Sequence, residues 1–236
     1  MDVTAESMDF WELVEAGNIQ EVSHMLKHTS GLNIDIIGPK FRESPLMVAI
    51  KNGDIEMMKL LIDHGADCNL KCPDALRLGH TPLFFAARTF SACGLDMMKI
   101  LIAHGASATV VGERGDTGMH LLFSIHLSNP SDADKRLRLL LDNIPNKDIN
   151  RLLLQRDWYG NTASDLNREA NAASLADILD MEVQIRRDSW NQWMSKRRAM
   201  TDALREDSQS PIRILEADML NYINSLFDEG VDRYRP

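Results

Sequence analysis

The sequence predicts an all-α repeat solenoid, a stack of helix–turn–helix units with β-turn fingers that is closed at one end by C-terminal helices. Three observations carry this prediction. Ser44-Pro45-Leu46-Met47-Val48-Ala49 and its downstream helix are nearly repeated by Thr81-Pro82-Leu83-Phe84-Phe85-Ala86 and the helix after it, the hydroxyl residues lying 37 positions apart. Self-similarity at a period of about 20–50 residues is the mark of stacked supersecondary units. Each copy also carries its own start and stop signals. Ser44 and Thr81 suit an N-cap and Pro45 and Pro82 the first helical position, where no N–H is needed, while Gly65 and Gly105 suit the left-handed residue just past a helix. Between these signals Ile55, Met58, Leu61 and Ile62 recur at helical spacing, as a face packed on a neighbouring unit requires.

The residues resemble the ankyrin repeat. Gly79-His80-Thr81-Pro82-Leu83-Phe84-Phe85-Ala86 follows that family's opening, with Phe84 where a His is usual, and Gly65-Ala66-Asp67 and Gly105-Ala106-Ser107 follow its close. Weaker copies flank the two clear ones. Asp9 to Val22 resembles a first, capping repeat. Gly115-Asp116-Thr117-Gly118-Met119-His120 keeps the Thr and the His but places Gly118 at the Pro position. Its second helix is expected over 135–142, after a turn at Ser128-Asn129-Pro130-Ser131-Asp132. Asp157 to Ala163 resembles a degenerate last repeat, with a helix over 172–179. The expected organisation is therefore about five repeats within residues 1–180, the outer ones atypical because they face water on one side. A C-terminal helical cap or extension follows over 181–236. There one helix is expected over 181–204, with Ile185, Trp193, Met200 and Leu204 roughly on one face. After the polar stretch 205–210, a second begins at Pro211, with Ile212, Leu215, Met219, Tyr222, Ile223 and Leu226 at helical spacing and Gly230 as its stop.

Irregular lengths mark loops. The fingers over 31–43 and 72–79 are longer than the family norm, and Thr89-Phe90-Ser91-Ala92-Cys93-Gly94 adds three residues between helices relative to the preceding repeat. Insertions in repeat proteins fall on loops and often on the binding face, though drift without function is as common.

Composition narrows the function classes. The 236 residues carry a formal charge of −9, which argues against broad nucleic-acid binding, and only three cysteines, which fit a reducing compartment better than a disulfide framework. The N-terminus lacks the basic and apolar regions of a signal peptide, and no apolar run reaches the ~18 residues of a membrane span. The cytoplasm is the expected location, with the nucleus as a second compartment. Catalytic motifs are missing: there is no Gly-rich phosphate loop and no G-x-S-x-G serine elbow. Cys68 and Cys72 with His64 and His80 fit no common zinc spacing. His64 and His104 precede the helix-stop glycines, where a cation suits the dipole. No cofactor, metal or small-molecule ligand is expected.

The resemblance implies a protein–protein interaction module acting as adaptor, scaffold or regulatory subunit, not an enzyme. In the family, recognition comes from the fingers and the concave face of the first helices. Mapped here, these are Lys40, Phe41, Glu43 and Lys51, then Arg77, Leu78, His80 and Arg88, then Glu113, Arg114 and Asp116, and finally Trp158 and Tyr159. Trp158 and Tyr159 stand equally as interface anchors or as residues packed on the C-terminal helices. The basic series Lys40, Lys51, Arg77, Arg88 and Arg114 on an acidic chain points to an acidic or phosphorylated segment of a partner protein. The resemblance also implies a modification: Leu61, Asp67 and Asn69 match the layout favoured by an asparaginyl hydroxylase acting on such repeats, which makes Asn69 the candidate. Two alternatives stand beside this reading. One is an effector or inhibitor acting on a host protein. The other is an enzyme or its regulatory subunit, with a pocket between the repeats and the C-terminal helices holding residues such as His126, Asp165 or Asp188.

Overall fold

A computed structural model describes residues 5–39, 42–73, 79–126 and 128–206. Within them the chain is a run of helix pairs: α1 (Ala5–Glu15) with α2 (Ile19–His28), α3 (Pro45–Asn52) with α4 (Ile55–Asp63), and α5 (Pro82–Arg88) with α6 (Gly94–Ala103). A fourth pair opens with a short 3-10 turn (Gly118–Leu121) and α7 (Phe123–His126) and closes with α8 (Pro130–Asp142). An extra helix, α9 (Asn146–Leu153), precedes the last pair, α10 (Ala163–Glu169) and α11 (Ala173–Glu206).

The pairs stack in order. The first helices α1, α3 and α5, the 3-10 turn and α10 form one row, each packed on the next, while α2 packs on α4, α6 on α8, and α8 and α9 on α11. The core runs along the whole array. Trp11, Leu46, Met47, Ile50, Met57, Met58, Leu61, Leu83, Met97 and Met98 are among its largest fully buried side chains. Burying one such side chain stabilises by roughly 1.5–3 kcal/mol, and it is the neighbouring pair that supplies the cover.

Local signals place the elements. Ser44 Oγ accepts from Met47 N (3.4 Å) and Asp54 Oδ1 from Met57 N (2.9 Å), so α3 and α4 are both capped. Gly65 and Gly105 take φ of 92° and 85°, the left-handed region expected of them. Thr81 occupies the expected N-cap position with extended backbone, but its hydroxyl makes no capping bond. His64 and His104 each bring Nδ1 to 2.8 Å from a carbonyl one turn back, Leu60 O and Ile100 O.

Two expected boundaries move. The second helix of the fourth pair begins at Pro130, not at 135. Asn129 Oδ1 accepts from Asp132 N (3.1 Å) and Pro130 fits the first turn, so the expected turn is a helix start. The helix expected over 172–179 continues without a break to Glu206, through the position where the repeat array was expected to end. Nothing in Met181-Glu182-Val183-Gln184 breaks a helix, and a Pro or Gly stop is absent over the whole span. The second C-terminal helix expected from Pro211 lies outside the described residues. No helix among them is long and apolar enough to cross a membrane.

Candidate functional site

Among the described residues, backbone bonds close the bases of four fingers between the helix pairs. Gly38 N donates to Glu43 O (3.0 Å), Cys72 N to His80 O (2.7 Å), Gly112 N to Asp116 O (2.8 Å) and Asp157 N to Asn161 O (2.9 Å). The loops that follow the second helices are bonded from one repeat to the next. Asp67 N donates to Asp35 Oδ1 (3.1 Å). Asn69 Nδ2 donates to Gly105 O (2.9 Å), and Ser107 N donates back to Asn69 Oδ1 (2.8 Å). Asn69 is exposed, with both ends of its amide joining two repeats.

Three of the expected contact residues turn inward. Glu43 is fully buried, with Oε2 accepting from Lys51 Nζ at 2.9 Å and its carbonyl accepting from Trp11 Nε1 at 2.9 Å. His80 is buried against the Phe84 ring (centroids 4.9 Å apart), and its Nε2 is paired with Asp116 Oδ2 of the next finger. Burial alone would raise the Asp116 carboxyl, but the His80 bond and charge outweigh it and hold it below the usual range. Glu43, His80 and Asp116 therefore serve the packing of the array. Sequence position placed them on a face that their contacts turn into an interior. Lys40, Phe41, Arg77 and Leu78 lie outside the described residues.

The remaining residues stay accessible. Glu113 and Arg114 are exposed at the third finger. Trp158 and Tyr159 are 78% and 81% exposed at the last finger, so among the described residues they pack on no helix. Their turn is rigid: Asp157 Oδ1 accepts from both Tyr159 N and Asn161 N (2.9 Å each), and Gly160 takes φ of 86°.

Lys51 and Arg88 come together at a cleft. At the C-terminal ends of α3 and α5 a depression of about 270 Å³ is lined by Lys51, Phe85, Arg88, Thr89, Phe90 and Ser91. Phe90, 69% exposed, forms one wall. Arg88 and Lys51, the latter already paired with the Glu43 carboxylate, stand beside the exposed Phe90 ring. Such a set can hold a carboxylate or phosphate next to apolar surface, since charge-assisted bonds supply direction and aromatic area supplies affinity. Phe85 and Phe90 were not among the expected site residues. The three-residue insertion at 89–94 was the available signal, and it lines this cleft.

The residues of the enzyme alternative are engaged at separate places. Asp165 caps α10 through Thr162, and the Thr162 bonds hold its carboxyl below the usual range. Asp188 accepts from Gln184 on α11 (2.9 Å). His126 Nδ1 lies 3.5 Å from Ser174 Oγ, which donates instead to Asp134 Oδ1 at 3.1 Å. The carboxylate thus contacts the serine rather than orienting the histidine, which is not the arrangement of a nucleophile–base pair. Cys68 and Cys72 are buried in the core, and among the described residues no group of three or more His, Cys, Asp or Glu converges as a metal would need.

A family model for ankyrin repeats matches residues 10–112 in three copies. No curated protein matches the chain. Repeats of this family are in general protein–protein interaction modules.

Proposed function

We propose that this protein, an ankyrin-repeat protein, is an adaptor or regulatory subunit that holds an acidic segment of a partner protein in the cleft between its second and third helix pairs. The observation that carries the reading is the convergence of Lys51 and Arg88 beside the exposed Phe90 ring in a chain of net charge −9. A local basic site on an acidic molecule selects an opposite charge by steering and by repelling other acidic surfaces. The buried Glu43 offsets part of the Lys51 charge and in return fixes the direction of its ammonium, so little side-chain entropy is left to lose on binding.

Trp158 and Tyr159 provide a second contact region on the same molecule. Aromatic side chains on a hydrogen-bonded turn are typical interface anchors, and truncating one costs roughly 2 kcal/mol or more at a hot spot. The low cysteine count supports action in the cytoplasm. Affinity capture with wild type beside Lys51→Glu/Arg88→Glu tests the reading. A protein retained by the first and lost by the second is the expected result, and an identical set recovered by both contradicts it.

A further inference from the structure

We infer that the loop over Thr89–Cys93 is the specificity-determining element of the cleft, with Phe90 reading an apolar residue beside the partner's acidic group and the buried Arg136 holding Phe90 in place. The inference rests on the cleft being the recognition site.

Helix α5 ends without the glycine that closes α3. Its cap residue, Thr89, is extended, with φ of −71° and ψ of 136°, and the last carbonyls of the helix need other partners. Arg136, from α8 of the next pair, supplies them. Its guanidinium donates through Nη1 to Ala86 O (3.0 Å), Ala87 O (3.2 Å) and Thr89 O (2.8 Å), and through Nη2 to Ser91 O (3.3 Å). The side chain is 1% exposed, and Asp132 Oδ2 neutralises it at 2.6 Å. A planar cation with several donors fits a helix C-terminus, where the dipole is negative.

The other side of the loop rests on the preceding pair. Cys93 Sγ donates to Gly53 O (3.3 Å) and lies 2.9 Å from Ser91 Oγ, and a Cβ on Gly53 would come within 2.8 Å of that same Oγ. The loop is therefore fixed from two neighbouring repeats while Phe90, at its crest, stays exposed. A large apolar side chain held out from a locked backbone makes a preformed contact, which lowers the ordering cost of binding. The occupant that fits Phe90 and Phe85 beside Lys51 and Arg88 is an extended segment with an apolar residue next to a carboxylate.

Selection of short random displayed peptides on the full chain tests the inference. Wild type is expected to enrich peptides with an aromatic or aliphatic residue beside Asp or Glu. Phe90→Ser should bind an enriched peptide about tenfold more weakly, as loss of an anchor does, and on selection should keep the acidic preference without the apolar one. Arg136→Gln should shift the selection in the same way. It should also raise the maleimide reactivity of Cys93 about tenfold over Phe90→Ser, with Cys68 and Cys72 still protected by burial. If Phe90→Ser selects the same peptides at the same strength, the loop does not read the partner and the inference fails, whatever Arg136→Gln does to folding. If Lys51→Glu/Arg88→Glu is equally silent, the cleft reading fails with it. No enrichment by wild type contradicts both.

Discussion

His120 is a single residue on which two repeats meet. It is fully buried, and its Nδ1 accepts from Thr117 N at 3.1 Å, so its proton sits on Nε2, which faces Asn161 O of the next finger at 3.3 Å. Burial holds this imidazole below its ordinary 6.5. A second proton would have to point at an N–H donor. The unfolded chain takes up that proton near pH 6.5 and the folded chain does not, so stability present above that value is lost as pH falls below it. Denaturation between pH 7.5 and 5 should show this decline, and His120→Gln should flatten it. The lowered Asp116 carboxyl adds no slope there, because its contribution is lost only below its ordinary 3.8. Trp158 and Tyr159 make the opposite case. Trp158→Ser/Tyr159→Ser should shift the melting temperature by no more than about 3 °C, since exposed side chains away from packing usually change stability by about 0.5 kcal/mol or less each. A larger drop would show that they pack on the array.

Among the elements, α5 and its loop show where sequence reading succeeds and where it stops. The start of α5 was legible because Thr81 and Pro82 are local signals, and the same holds for α3 and the glycine stops, whereas the Asp54 cap of α4 was not read. The insertion after Arg88 was legible as extra length. Its shape was not, because the group that fixes it is Arg136, more than 40 residues away, and a buried arginine leaves no local pattern in the sequence. Glu43 and His80 looked like surface residues for a related reason. Their burial depends on Trp11, Lys51, Phe84 and Asp116, two of which, Trp11 and Asp116, belong to other repeats. The boundary at α8 moved because Asn129-Pro130 serves as turn or helix start with equal ease. Gly94→Ala gives an element-scale prediction. Its Cβ would lie 2.3 Å from Arg136 Nη2, so the clamp must shift. Chemical denaturation should register a loss of about 1–3 kcal/mol, the usual cost of overpacking, and no loss would show that the clamp is loose.

Over the whole molecule, the array places the two proposed contact regions at separated points of one stacked scaffold. The Lys51–Arg88 cleft lies at helix C-termini, and the exposed aromatic pair lies on the last finger. A solenoid suits this division because each repeat contacts only its neighbours, so a surface can change without disturbing the stack. The cleft between the second and third pairs is the proposed place where a partner is held. The most direct measurement is a titration of the captured partner against wild type and Lys51→Glu/Arg88→Glu, with folding of both verified by thermal melts. The folded variant should bind at least about tenfold more weakly, and the wild-type affinity should fall as salt rises. Equal affinity in a variant that melts like wild type would contradict it.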